Sequence, residues 1–265
     1  MPSDSEVALA AAAAGAAVVG ARYGTALTRV DKGAGDFATA ADLDAEAAVV
    51  ALLHDQRPGD AVLGEESGRS GPGGNGREWL VDPLCGTLNY AVQTTLACVN
   101  VALREDGEAT VAACADPFSG ETFWSDKGGA FVRRDGRDDL LVPSAASALI
   151  DVNLDPPFPN DPAFRAVTLL ADRDFGRRFR PRVVSTTLAV AWVAAGRRAG
   201  YVTDGHLRDS VHFAAGLAVC RAAGCVVTGL LGEPLHTGVG GLVVAADEET
   251  HTALLDLVSR QFRRG

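Results

Sequence analysis

Two hydrophobic periods alternate along this chain. Residues 5–24 are small and apolar with little interruption, which predicts a buried N-terminal helix. Thr39 precedes an apolar stripe of Ala48, Val49, Leu52 and Leu53 and has Asp42 just downstream, the arrangement of an N-capped helix. DAVLGEE (60–66) reads as a short buried strand ending in two carboxylates, and SGRSGPGGNG (67–76) as a flexible surface loop. Strand patterns at 78–82, 96–104, 109–115, 121–125 and 129–133, joined by short connections, predict a largely antiparallel sheet. Arg, Asp and Pro crowd residues 134–160 and set a soft boundary there. It separates an N-terminal half (1–140) from a C-terminal half (141–265) within one expected compact unit. Helix patterns at 161–172, 186–197, 210–223 and 248–262 then alternate with strand patterns at 181–185, 199–203, 225–229 and 241–246. The pattern as a whole is that of an α/β protein.

Composition narrows the class. At 265 residues and 47% hydrophobic, the chain can bury an ordinary globular core. A formal net charge of −10 argues against nucleic acid or an anionic membrane surface as a main partner, although a bound metal can still recruit an anionic substrate. The uncharged run at 7–21 is short for a bilayer span, and Asp4 and Glu6 ahead of it are wrong for a signal peptide. Five cysteines, an odd number, point to reduced thiols and a cytoplasmic location. Cys98, Cys114 and Cys220 sit in apolar runs and read as buried hydrophobes. His54, His206, His236 and His251 show no ligand spacing, and RDFGRRFRPR (173–182) reads as a solvated loop with scattered ion pairs.

Three segments carry chemistry when taken together: GDFATAAD with Asp36, Thr39 and Asp42; LGEESG with Glu65 and Glu66; and WLVDPLCGTLNY, in which an apolar strand delivers Asp82 into a glycine turn followed by Thr87. In this order and spacing they resemble the inositol monophosphatase family. ADPFSGETFWSDKGGAFV (115–132), STTLAVAWVAAGRRAGYV (185–202) and FAAGLAVCRAAGCVVTGLLGEPL (213–235) extend the resemblance over nearly the whole chain. The resemblance implies a layered αβαβα sandwich, often a homodimer, and a Mg²⁺-dependent phosphomonoesterase acting on a small polar phosphorylated metabolite. Carried over by position, one metal falls to Glu65, Asp82 and the Leu84 carbonyl. Thr87 and Glu65 orient the attacking water, and Asp42 and Glu66 lie in the outer shell. Lys32 and Thr39 support that loop, and Gly86 and Thr87 fall to the substrate.

Two positions depart from the family pattern. Cys85 stands where the family has a metal-binding aspartate, and Val211-His212 where it has a Trp-Asp pair. The family's substrate-contacting glutamate has no clear counterpart, although Asp204 falls near it. Asp209, one turn upstream of His212, either supplies the missing carboxylate or caps a helix. A thiol and an imidazole are poor Mg²⁺ ligands, so the second metal site is expected to be degenerate. Three readings follow. Cys85 and His212 form a new reactive pair in a repurposed enzyme, the reading adopted from the sequence. Asp82, Cys85 and His212 bind a softer ion such as Zn²⁺, with water as a fourth ligand; a Mg²⁺-dependent phosphomonoesterase with one weak Mg²⁺ site, acting on an inositol, sugar or nucleotide phosphate, stays open as the alternative function. Or the chain is a non-catalytic binding protein.

Overall fold

The computed structural model describes residues 1–26, 28–33, 36–155, 164–205, 207 and 210–263. The described chain divides into two compact units. The first holds Met1–Leu140 together with Thr186–Leu188 and Val211–Val219; the second holds Leu141–Ser185, Ala189–Ser210 and Cys220–Gly265. The division near residue 140 is therefore discontinuous: Thr186–Leu188 and Val211–Val219 belong with the N-terminal residues.

In the first unit the elements run α1 (Asp4–Arg22), β1 (Arg29–Gly33), β2 (Asp36–Thr39), α2 (Ala40–Gln56), β3 (Ala61–Gly64), β4 (Gly68–Ser70), β5 (Arg77–Cys85), α3 (Thr87–Ala91), β6 (Cys98–Glu105), β7 (Glu108–Ala115), β8 (Thr122–Asp126), β9 (Gly129–Arg134) and β10 (Arg137–Leu140). Eight strands form one sheet in the order β10-β9-β8-β7-β6-β5-β3-β4, antiparallel except where β3 pairs with β5. β1 and β2 form a separate antiparallel hairpin.

Helix α1 is 19 residues long with a mean hydropathy of 1.3, so by length and composition alone it reaches the range of a bilayer-crossing helix. Its Val7, Ala8, Ala11, Ala12 and Val19 are instead part of the core beneath the sheet, with Val49 and Leu53 of α2 and Val99, Val101 and Leu103 of β6. Strand β5 lies inside the sheet with nearly every residue buried, which explains its continuous apolar run in place of alternation.

The second unit carries β11 (Leu149–Asn153), a 3₁₀ turn (Ala166–Ala171), α4 (Arg173–Arg178), β12 (Arg180–Val183), α5 (Leu188–Ala194), β13 (Gly200–Thr203), α6 (Val211–Ala222), β14 (Val226–Thr228), β15 (Leu242–Ala245) and α7 (Glu248–Phe262). Leu188 at the start of α5 and the first part of α6 belong to the first unit. The sheet order is β12-β11-β13-β15-β14, with β11 parallel to both of its neighbours.

Several expectations need correction. β10 and β11 lie inside the stretch read as a boundary. β11 escapes notice because Asp151 interrupts its apolar run; the carboxylate is buried and paired with Arg198 at 2.7 Å. The 67–76 loop contains the edge strand β4, and the arginine-rich loop at 173–182 folds as α4 and the start of β12. The β1–β2 hairpin has too little apolar content to announce itself, since every residue of β1 is exposed.

Candidate active site

The site residues belong to the first unit and are positioned by an interruption in β5. Pro83 has no N–H to give to the ladder, and the pairing of β5 with β6 shifts between Asp82 and Cys85. Beyond the shift, Gly86 turns the chain with φ of 107°, and α3 begins at Thr87. A Cβ at Gly86 would lie 2.5 Å from the Leu96 carbonyl oxygen, so both the conformation and the space call for glycine.

Asp82 is fully buried. Its Oδ1 accepts from the Leu84 N–H at 3.1 Å, and its Oδ2 lies 2.9 Å from Nδ1 of His212, which enters from the first turn of α6. Asn100 on β6 adds an N–H to Oδ2 at 3.3 Å and another to Thr187 Oγ1 at 2.9 Å. The Glu65 carboxylate is 3.8 Å from His212 Nδ1. Lys32, on β1, donates to Glu65 at 2.8 Å and to Glu66 at 2.6 Å.

Thr87 Oγ1 has one proton and two acceptors in range, Asp42 Oδ1 at 2.9 Å and the Leu84 carbonyl at 3.1 Å. The other oxygen of Asp42 accepts from the N–H and hydroxyl of Thr39, closing a capping box at the start of α2. One carboxylate thus both starts a helix and aligns Thr87.

Cys85 Sγ accepts the backbone N–H of Thr187 at 3.2 Å. The sulfur of Cys85, a ring nitrogen of His212 and a carboxylate oxygen of Asp82 all lie within 4.8 Å of one another.

Charge at the site is strongly coupled. Burial tends to raise the Asp82 carboxyl, but the charge and hydrogen bond of His212 outweigh it and hold Asp82 below its usual range. The imidazole is affected in the opposite sense. Burial would lower it, and Asp82 raises it well above the ordinary histidine value. We therefore describe the pair as carboxylate and imidazolium. Glu65 is pushed up to about 8 by burial and by the charge of Asp82, despite the Lys32 ammonium beside it. The Cys85 thiol is raised well above its ordinary value by its contact with Cys98, by burial and by the Asp82 charge.

The expected residues fall out as follows. Glu65, Asp82, Cys85 and His212 come together, Leu84 is tied to Asp82 by its N–H and to Thr87 by its carbonyl, and Asp42 and Glu66 bond to Thr87 and Lys32 respectively. Asp204 belongs to the second unit, buried and paired with Arg165 at 3.2 Å. Asp209 and His206 lie outside the described residues.

Sequence reasoning did not single out Asn100, Thr187 or Glu46. Buried Glu46 accepts from the N–H groups of Glu66 and Ser67 at 2.8 and 2.7 Å and so fixes the loop that carries Glu65. Gly64 leaves room for it: a Cβ there would lie 2.6 Å from the carboxylate. The available signals were polar residues in otherwise apolar settings, Asn100 within CVNVAL and Glu46 on the α2 face shared by Asp42, Ala45 and Val49.

The first of the inferred metal positions fits a hard cation. Glu65, Asp82 and the Leu84 carbonyl supply oxygens only, the donor type that Mg²⁺ requires. The second does not fit Mg²⁺, because Cys85 offers sulfur and His212 nitrogen where hard oxygens are required.

Fold and carboxylate cluster together define a layered α/β protein of the phosphatase type. The chain belongs to the inositol monophosphatase family, whose sequence profile matches residues 3–262. It is similar to the inositol-1-monophosphatase of Caulobacter vibrioides, with 33% identity over 234 residues covering 85% of this chain and 88% of the relative. The inositol-1-monophosphatase ImpA of Mycolicibacterium smegmatis is 34% identical over 234 residues, covering 86% of this chain and 82% of the relative. The Nus factor SuhB of Escherichia coli is 31% identical over 217 residues, covering 80% and 79%. Among solved structures, the extragenic suppressor protein SuhB of Bartonella henselae superposes with a TM-score of 0.83 at 25% identity, covering 96% of this chain and 98% of that one. The Thermotoga maritima IMPase gives 0.81 at 20% identity, covering 98% of both chains, which speaks to the fold alone.

Proposed function

We propose that this protein hydrolyses the phosphate monoester of a small polar metabolite, using a single Mg²⁺ held by Glu65, Asp82 and the Leu84 carbonyl. The observation that carries this reading is the Thr87 hydroxyl shared between Asp42 Oδ1 and the Leu84 carbonyl, beside an intact set of hard oxygens. With its proton committed to those acceptors, the Thr87 oxygen is free to accept a hydrogen bond from a water and aim it. Glu65, beside Asp82 and anchored by Lys32, gives up its proton when the ion binds and then offers a carboxylate oxygen to take a proton from that water. When bound, Mg²⁺ supplies Lewis-acid stabilisation of the phosphoryl oxygens. The water oxygen forms a new bond to phosphorus, the ester P–O bond breaks, and the departing alkoxide takes a proton from solvent.

This changes the preference reached from sequence alone. A Cys85 nucleophile needs a thiolate and a neighbouring base, but the thiol is held protonated and His212 is engaged with Asp82 as a cation. While no ion occupies that position, the imidazolium supplies at Asp82 a positive charge that a metal would otherwise bring. The names of the relatives make an inositol monophosphate the first substrate to try. The cysteines of the described chain are all free, which supports a reducing, cytoplasmic setting.

The test is phosphate release from inositol, sugar and nucleotide monophosphates in the presence of Mg²⁺. Turnover on one class is expected, with Thr87→Ala reducing kcat by about 100-fold at little-changed KM and Thr87→Ser retaining most of it. Turnover that is indifferent to Thr87 would overturn the assignment.

A further inference from the structure

Where the second hard site would be, the chain has gathered a different kind of ligand set. The sulfur of Cys85, a ring nitrogen of His212 and a carboxylate oxygen of Asp82 converge within 4.8 Å. They come from the end of β5, the turn after its ladder shift and the first turn of α6. Sulfur, imidazole nitrogen and one carboxylate oxygen form the donor mixture that selects zinc-class transition metals over Mg²⁺.

The three donors are near enough to share one ion with small side-chain adjustments: His212 Nδ1 and Asp82 Oδ2, now hydrogen-bonded at 2.9 Å, would open to the roughly 3.3 Å that a tetrahedral metal with bonds of about 2.0 Å requires.

Groups behind the three donors hold them in place. Thr187 N–H points at the Cys85 sulfur at 3.2 Å, Leu84 N–H holds Asp82 Oδ1 at 3.1 Å, and Asn100 holds Oδ2 at 3.3 Å. The His212 side chain is 41% exposed, which leaves a route for an ion to enter.

We propose that Asp82, Cys85 and His212 form a binding site for one zinc-class transition metal ion, with a fourth coordination position open to water or to a substrate oxygen. Entry of the ion displaces the thiol proton of Cys85 and one ring proton of the His212 imidazolium to solvent. Three protein ligands with one open position is the pattern of a catalytic rather than a purely structural zinc centre. The site stands whether or not the protein hydrolyses phosphate esters, because its evidence is the ligand set itself.

Cobalt(II) tests this directly, as a coloured substitute for zinc and with no activity readout. The full-length chain is stripped of metal by chelator dialysis and titrated with Co²⁺. One equivalent should raise a thiolate-to-cobalt charge-transfer band in the near ultraviolet. Zn²⁺ should bleach the band, and a large excess of Mg²⁺ should leave it. Cys85→Ser should abolish the band, Cys98→Ser and Cys114→Ser should keep it, and His212→Ala should weaken Co²⁺ binding by about tenfold or more. Absence of the band in the unmodified protein overturns the site without recourse to any variant. A band that survives Cys85→Ser, or that Mg²⁺ bleaches, overturns it equally.

Discussion

Replacing His212 with alanine isolates the ion pair that occupies the second-metal position. Asp82 is fully buried, and the substitution removes its cationic partner at 2.9 Å. Breaking a buried pair from one side costs about 3–5 kcal/mol when the remaining charge is left uncompensated. Two features reduce that figure. Asp82 keeps the N–H groups of Leu84 and Asn100, and the His212 side chain is 41% exposed, so solvent screens part of its charge. We expect His212→Ala to destabilise the metal-free protein by about 1–2 kcal/mol.

The pH dependence fixes the cause. The Asp82 carboxyl is lowered on folding, so its share of the stability is present above its ordinary value of 3.8 and lost as pH falls through the depressed one. His212 is raised on folding, so its share is full below 6.5 and lost as pH rises through the elevated value. The gap between native protein and variant should therefore be widest between those limits and close on either side. Urea unfolding in chelator, followed across this range, measures it. A gap that is absent near pH 6, or that widens steadily with alkalinity, would refute the assignment of carboxylate and imidazolium.

Other outcomes follow from the same geometry. Gly86→Ala should cost about 2–4 kcal/mol, because it combines a left-handed backbone with a 2.5 Å approach to the Leu96 carbonyl; thermal melting reads the loss, and an unchanged melt would contradict the turn. Mg²⁺ affinity, measured calorimetrically, should strengthen by about tenfold per pH unit up to about 8 and then level off, since the ion must displace the Glu65 proton. Glu65→Gln should flatten that profile and weaken binding. Glu46→Gln, which loosens the hold on the Glu66 and Ser67 N–H groups, should weaken Mg²⁺ binding while lowering the unfolding free energy, measured in urea, by about 1 kcal/mol.

Much of this site was legible because it rests on short-range chemistry. Thr39 and Asp42 announce a capped helix by spacing alone, and the structure shows that capping box. Asp82-Pro83 and Gly86-Thr87 mark where a buried strand must leave its ladder and begin a helix. Burial of Cys98, Cys114 and Cys220 followed from their apolar neighbours.

What was not legible depends on partners distant in sequence. Asn100 matters because the fold sets it against Asp82 and Thr187, and Glu46 because it reaches the loop after β3. Neither has a local motif. The protonation of Cys85 was likewise beyond the sequence, since it depends on Cys98 lying opposite across the β5–β6 pair. The strand β11 was hidden by Asp151, whose buried charge is intelligible only once Arg198 is placed beside it.

The most direct test of the central claim, one hard-metal position retained and the other replaced, is the Mg²⁺ stoichiometry measured by isothermal titration calorimetry on the chelator-stripped protein and on the Cys85→Asp, His212→Asp double variant. The account predicts one Mg²⁺ per chain for the native protein and a second for the variant, because two hard carboxylates would restore the missing oxygens beside Asp82. Two tight Mg²⁺ sites in the native chain, or no gain in the double variant, would contradict it.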